Sequence, residues 1–183
     1  MHSLTVFLSA KEQGKTTSLQ WLVERHRQKG HVFIVADAMS HWVERRGVYV
    51  TDGEDGERAA REAIELSERL RAGVTLVLDE GWLYLHRDDP PPKTGALVSI
   101  LRTGRQPKLR GSWRRRYPVC TIAATHQPSD LMKWIRNLIS RLYVGHMSAP
   151  EDLDWVARIT RDPVFAYETA PSLPWGEFVA FDL

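Results

Sequence analysis

The sequence predicts an α/β fold in which helices flank a mostly parallel central sheet, with a late strand pair near the C-terminal end. Short apolar segments alternate along the chain with segments of helical length. The segment Val74 to Leu78 is the most continuous apolar strand in the chain, as expected of a strand buried on both faces of a parallel sheet. A polar loop joins the first apolar segment to the first helical one. No repeat or second domain is indicated, so residues 1–183 are interpreted as a single domain.

The first half of the chain contains four predicted strands and two predicted helices. Apolar runs indicate the strands, and apolar residues at helical spacing indicate the helices, with Gly30 and Gly73 as natural stops. The strands are Leu4 to Leu8, His31 to Ala36, Val48 to Val50 and Val74 to Leu78, and the helices are Lys15 to about Lys29 and Glu54 to Arg71. The second helix is expected to have a solvated face, because acids and arginines lie four residues apart on it.

The second half begins with the proline-rich loop Asp88 to Pro92 and continues with three helices and four strands. The helices are Thr94 to Thr103, one that Ser129 opens as its N-cap, and Pro150 to about Arg158. The strands are Val119 to Ala124, Leu138 to Val144, Val164 to Glu168 and Phe178 to Phe181. The last two strands flank the turn Pro171 to Gly176 and form the predicted late pair.

The composition is that of an ordinary folded protein and leaves the function open. Of the 183 residues, 43% are hydrophobic and 26% are charged, and the formal net charge of +2 is too small to identify a partner. Cys120 is the only cysteine, which excludes an internal disulfide and is typical of a reducing compartment. Neither a signal peptide nor an apolar run of about 18 residues is present, so a soluble chain without an intrinsic membrane segment is expected.

The loop SAKEQGKTTS matches the phosphate-binding pattern G-x-x-x-x-G-K-[ST] except at its first position, where Ser9 replaces glycine. It lies between a strand and a helix, where a phosphate loop has to lie. Backbone N–H groups and the positive end of the helix are predicted to surround the β-phosphate, with Lys15 on the β- and γ-phosphates and the Thr16 hydroxyl on Mg²⁺. The predicted nucleotide-binding residues are Ser9, Ala10, Lys11, Glu12, Gln13, Gly14, Lys15, Thr16 and Thr17.

Two strand ends carry polar residues that extend this prediction. The apolar strand ends on Asp79 and Glu80, of which Asp79 can hold Mg²⁺ through a water and Glu80 can orient or deprotonate the attacking water. A later strand is followed by Thr125, His126 and Gln127. Because parallel strands end at the same edge of a sheet, these residues are expected near the γ-phosphate, with Gln127 as the sensor of hydrolysis. His126 is interpreted as a packing or hydrogen-bonding residue, and no zinc site is expected.

A basic segment lies between these two strands. Its cations are Arg102, Arg105, Lys108, Arg110, Arg114, Arg115 and Arg116. Aromatic residues lie among the cations, which suits a phosphate backbone with bases nearby, although a solvated loop with ion pairs is an alternative. Arg102 and Arg105 end the preceding helix and are candidates for an arginine that reaches the γ-phosphate of a neighbouring subunit. The residues assigned to nucleic acid are Arg110, Trp113, Arg114, Arg115 and Arg116.

Four motifs follow one another between about Leu4 and Val144. They are the GKT loop, the apolar strand ending in DE, the helix ending in R-x-G-R, and a strand ending in T-x-Q-P with a following D-L. In this combination the sequence resembles the FtsK/HerA superfamily of DNA-pumping ATPases, and especially the genome-packaging ATPases of viruses and phages with an internal membrane. The closing GEFVAFDL is similar to the late strands of such proteins. The chain departs from the family pattern at Ser9 and in its longer insertion with WRRR.

The resemblance implies a RecA-like P-loop NTPase fold and an ATPase that uses ATP and Mg²⁺. By position it assigns Lys15 and Thr16 to the phosphate loop, Asp79 and Glu80 to the metal and catalytic acids, Gln127 to the sensor, and Arg102 or Arg105 to the trans arginine. It further implies a pentameric or hexameric ring that moves double-stranded DNA into a preformed capsid. The implied partners are capsid or portal and membrane proteins of a virion, in the host cytoplasm or on the virion.

Three other functions remain open at this point. One is a virion-assembly ATPase similar to the zonula occludens toxin-like proteins, which usually carry a membrane helix. Another is a small-molecule P-loop kinase, monomeric and indifferent to DNA, whose arginines form a lid over its substrates. The third is a regulatory nucleotide-binding module with slow turnover.

Overall fold

A computed structural model describes residues 4–53, 55–84, 95–103, 117–126, 128, 131 and 133–183. Seven strands form one sheet: β1 (Leu4–Leu8), β2 (Val32–Asp37), β3 (Val48–Asp52), β4 (Val74–Asp79), β5 (Val119–Thr125), β6 (Ile139–Val144) and β7 (Val179–Asp182). The order across the sheet is β3-β2-β4-β5-β1-β6-β7. The strands β1 to β6 are parallel, and β7 pairs antiparallel with β6 at one edge.

Helices cover both faces of this sheet. They are α1 (Lys15–Arg27), α2 (Gly56–Leu70), α3 (Ala96–Thr103), α4 (Lys133–Arg136) and α5 (Pro150–Thr160). Short helical turns occupy Gly81–Leu83, Phe165–Thr169 and Ala170–Ser172. None of the helices in the described part of the chain combines the length and the hydropathy that crossing a bilayer requires.

The alternation of side chains along the strands divides the core into two clusters. Leu76 and Leu78 of β4 belong to a large cluster with residues of α2, α3 and α5, whereas Val77 points to the opposite cluster. That second cluster contains Leu19 and Val23, so α1 is the helix that packs on this face. Because the central strands are buried on both faces, they are mostly apolar, which is the signal that the sequence provides.

The predicted strand at Val164 to Glu168 is wrong, because this segment is helical. An Asp162 carboxylate oxygen accepts a hydrogen bond of 2.9 Å from the Phe165 N–H, which favours a turn over an extended chain. Phe165 and Ala166 both belong to the large core cluster, whereas adjacent residues of a strand would point to opposite faces of a sheet. The antiparallel pair at the C-terminal end therefore consists of β6 and β7, not of two late strands. The predicted Ser129 N-cap lies outside the described residues.

Candidate nucleotide-binding site

The phosphate loop is anchored at its start to the end of β6. The Ala10 N–H donates to the His146 carbonyl oxygen at 2.7 Å, and the Gly145 N–H donates to the Leu8 carbonyl oxygen at 2.7 Å. Ser9 is fully buried and has a negative φ, so glycine is not required at this first position of the pattern. Gly14 has a φ of 80° and does need to be glycine, since an added Cβ would also lie 3.1 Å from the Trp175 ring.

Lys15 is held across the loop by two backbone carbonyls. Its Nζ donates to the carbonyl oxygens of Ser9 at 3.0 Å and Ala10 at 2.8 Å. Burial lowers the pKa of Lys15, and the nearby carboxylates of Glu80 and Asp79 oppose that shift. The ammonium group thus lies within the loop and in the field of the two acids that follow β4.

The fold brings Thr16 and Asp79 together although they are 63 residues apart in the sequence. The Thr16 hydroxyl donates to Asp79 Oδ1 at 3.1 Å, and the Trp42 Nε1–H donates to Asp79 Oδ2 at 2.7 Å. Burial raises the pKa of Asp79, while the hydrogen bonds from Trp42 and Thr16 lower it. A hydroxyl and a carboxylate are hard oxygen donors of the kind that Mg²⁺ prefers, so this pair fits the predicted metal.

Glu80 adopts a backbone conformation that is uncommon for a residue with a side chain. Its φ is 68°, in the left-handed region, and its carbonyl accepts from the Leu83 N–H at 3.0 Å to close the turn Gly81–Leu83. The Nδ1 atom of His126, at the end of β5, lies 3.4 Å from Glu80 Oε2. Since β5 lies between β4 and β1, its end lies between the acids and the phosphate loop.

A cavity of about 700 Å³ lies between the phosphate loop and Glu80, with a volume in the range typical of small-ligand sites. Its lining includes the loop from Lys11 to Thr17, together with Gln20, Met39, His41, Glu80, His126 and Trp175. Trp175 belongs to the C-terminal segment, and its Nε1–H donates to the Glu12 carbonyl oxygen at 2.9 Å. The arrangement can bind a polyphosphate at the loop and present a carboxylate beside it.

Solved structures with a similar fold include two viral packaging proteins. One is the genome-packaging NTPase of Sulfolobus turreted icosahedral virus 2 in complex with ATP-gammaS, with a TM-score of 0.76 at 16% identity over 99% of this chain and 92% of that one. The other is the DNA-packaging ATPase of Sulfolobus turreted icosahedral virus, with a TM-score of 0.74 at 14% identity over 98% and 92% of the two chains. The chain has the P-loop NTPase fold of these packaging proteins. No protein-family model matches the sequence, and no curated protein matches it.

The predicted fold class, a RecA-like P-loop NTPase with a C-terminal strand pair, is confirmed by this similarity and by the sheet. At identities this low the shared feature is the fold. The roles of individual residues therefore stay predictions.

Sequence reasoning missed two tryptophans of this candidate site, Trp42 and Trp175. The loop that carries Trp42 follows β2, and Asp37 at the end of that strand accepts from the N–H groups of Met39 at 3.2 Å and Trp42 at 2.8 Å. Asp37, His41 and Asp79 offer ligand atoms within 4.8 Å of one another. The rule that parallel strands end at one edge could have pointed to Asp37, but no sequence signal marks Trp175.

Several predicted site residues lie outside the described part of the chain. They are Gln127, Arg105, Arg110, Trp113, Arg114, Arg115 and Arg116. Arg102 is described; it is exposed on α3, and its guanidinium carbon lies 5.1 Å from the centre of the Trp134 ring. It does not line the cavity at the phosphate loop.

Proposed function

We propose that this chain is an ATPase that packages a viral genome, hydrolysing Mg-ATP at the phosphate loop to move double-stranded DNA into a preformed capsid. The observation that carries the proposal is the Thr16 to Asp79 hydrogen bond, with Glu80 next along the chain. It places Asp79 against the phosphate loop, and Glu80 lines the same cavity as that loop. A phosphate loop and two acids are the groups that NTP hydrolysis needs.

Each group has a distinct task in this proposal. Backbone N–H groups of the loop and the ammonium of Lys15 bind the β- and γ-phosphates and stabilise the charge that develops on them. Thr16 and Asp79 would hold Mg²⁺, which would supply charge neutralisation at the phosphate oxygens. Glu80 orients the attacking water and accepts its proton, and Gln127 detects whether the γ-phosphate is present.

The coupling to DNA rests on the sequence and on the similarity of fold. The two similar structures are those of a genome-packaging NTPase and a DNA-packaging ATPase. The basic segment supplies cations for a phosphate backbone, with Arg110, Trp113 and Arg114 to Arg116 on DNA and Arg102 or Arg105 acting on the nucleotide of the next subunit. In this proposal residues 1–183 form a single ATPase domain that assembles into a pentameric or hexameric ring and docks on capsid, portal or membrane proteins of the virion.

The test is ATP hydrolysis by the purified protein with Mg²⁺, measured with and without long double-stranded DNA. Glu80→Gln is expected to abolish turnover while ATP binding persists, because the amide cannot accept the proton of the attacking water. Glu62→Gln is the matched control, since Glu62 lies on the exposed face of α2 and pairs with Arg58 at 2.9 Å.

Stimulation by DNA that disappears in Glu80→Gln supports a DNA motor. Hydrolysis that ignores DNA would refute the coupling and favour the kinase or the regulatory module. Equal turnover in the wild type and Glu80→Gln would refute the ATPase itself.

A further inference from the structure

A second cavity of about 680 Å³ lies beside the phosphate loop, between α1 and the C-terminal segment 175–178. Aromatic rings from four parts of the chain line it, namely Phe7 of β1, Trp21 of α1, Tyr143 of β6, and Trp175 with Phe178 from the C-terminal segment. Trp21 and Trp175 are each 61% exposed, which is high for tryptophan in a folded chain.

The floor of this cavity is an ordered aromatic stack. The rings of Phe7 and Tyr143 are parallel within 7° with centroids 4.4 Å apart, and Phe178 meets Phe7 edge-on at 5.5 Å. On this face of the sheet α1 covers β2 and its neighbours, so the surface over β1 and β6 is left to the aromatic residues. The floor of the cavity is therefore apolar and aromatic.

The second cavity is continuous with the phosphate site. Thr17 and Trp175 line both cavities, and Thr17 directly follows the predicted metal ligand Thr16. Thr17, Trp21 and Arg25 lie four residues apart and so share one stripe of α1, where the Arg25 guanidinium carbon lies 5.2 Å from the centre of the Trp21 ring. A ligand that spans both cavities would follow this stripe away from the loop.

The sheet order fixes which end of a nucleotide lies on which side. In the sheet, β5 and then β4 lie on one side of β1, and Asp79 and Glu80 are at the end of β4. The γ-phosphate of a bound nucleotide is therefore expected on that side of the phosphate loop. Tyr143 belongs to β6, on the other side of β1. The nucleoside end of the same ligand therefore extends toward the aromatic cavity.

We propose that the aromatic cavity binds the base of the nucleotide, which stacks on the rings of Trp21 and Trp175. The proposal rests on the proposed function, because the phosphates of the same nucleotide lie on the loop. Stacking on aromatic side chains is a strong contribution for a nucleobase, so Trp21 is expected to supply roughly 10- to 100-fold of the affinity for ATP.

The test compares the binding of Mg-ATP and Mg-tripolyphosphate, which has the phosphates but no nucleoside, by isothermal titration calorimetry. Trp21→Ala is expected to weaken ATP binding by about 10- to 100-fold and to leave tripolyphosphate within about twofold of the wild type. The substitution is compatible with folding, since the side chain is largely exposed. The matched control is Tyr167→Ala, an aromatic residue that is 50% exposed and lines neither cavity, and it should bind both ligands as the wild type does.

Two results would overturn the base site while leaving the phosphate site intact. One is a Trp21→Ala variant that binds ATP as tightly as the wild type, and the other is an equal loss for ATP and tripolyphosphate. A wild-type protein that binds neither ligand, or binds them undiminished in Lys15→Ala, would instead refute the phosphate site and the base site with it. Fluorescence gives a second readout, because ATP should quench tryptophan emission and tripolyphosphate should not.

Discussion

Replacing Trp42 by phenylalanine tests whether the indole stabilises the buried carboxylate of Asp79. The Trp42 side chain is 7% exposed and its Nε1–H donates to Asp79 Oδ2 at 2.7 Å. A hydrogen bond to a charged group contributes about 1.5–3 kcal/mol, and the smaller ring adds about 1 kcal/mol for the space it leaves. The free energy of unfolding should therefore fall by about 2–4 kcal/mol, which lowers the Tm by roughly 4–16 °C for a chain of this size.

The effect should depend on pH in a defined direction. Burial raises the pKa of Asp79 and the Trp42 hydrogen bond opposes that shift, so Trp42→Phe raises the pKa further. When the pKa of a carboxyl group is higher in the native protein than in the unfolded chain, the free energy of unfolding falls as the pH rises from the lower pKa to the higher one. The destabilisation by Trp42→Phe should therefore be largest above the native pKa values and shrink in acid, where Asp79 is protonated in both proteins.

Urea denaturation followed by circular dichroism at several pH values measures this difference. Trp155→Phe is the matched control, because Trp155 is 4% exposed and packs in the opposite core cluster. Asp79→Asn removes the charge, so Trp42→Phe should cost less in that background, and the double-mutant cycle isolates the coupling. The reasoning is refuted if Trp42→Phe costs no more than Trp155→Phe and its cost is the same at every pH.

Two further substitutions test the local geometry. Gly14→Ala should lower the free energy of unfolding by about 2–3 kcal/mol and impair ATP binding, because Gly14 has a positive φ and a new methyl group would lie 3.1 Å from the Trp175 ring. Gly30 also has a positive φ, but an added methyl group there would have no neighbour within 4 Å, so Gly30→Ala should lower the free energy of unfolding by only about 1 kcal/mol. If urea denaturation gives the same loss for both variants, the contact with the Trp175 ring contributes nothing. Glu57 accepts from the first two N–H groups of α3, at 2.6 and 3.0 Å, and Glu57→Ala should cost about 1–2 kcal/mol. Glu62→Ala, which breaks a solvated pair on the same helix, should stay within about 0.5 kcal/mol, and a similar loss in both variants would contradict the capping role.

The parts of the site that follow local rules could be predicted from the sequence. Lys15 and Thr16 could be predicted because the phosphate-binding pattern places them where the loop after the first strand meets the first helix. Asp79 could be predicted because it ends an apolar strand. The segment Val164 to Glu168 was mispredicted because its aromatic and β-branched residues favour a strand, whereas the Asp162 cap and the packing of Phe165 on Phe181 favour a turn. Propensity is a weak preference that tertiary packing overrides.

By itself the sequence determined the parallel sheet, the phosphate loop and the two acids, because strand and helix periodicity and the end of each strand are properties of consecutive residues. Only the tertiary structure decided that Trp42 donates a hydrogen bond to Asp79 and that His126 lies beside Glu80. The same holds for the hydrogen bond from Trp175 to Glu12 in the phosphate loop, 163 residues away in the sequence. These contacts join side chains from different strands and from the C-terminal segment, and the order of strands across the sheet sets which of them meet. No local pattern encodes that order, because it depends on how the whole chain buries its apolar surface.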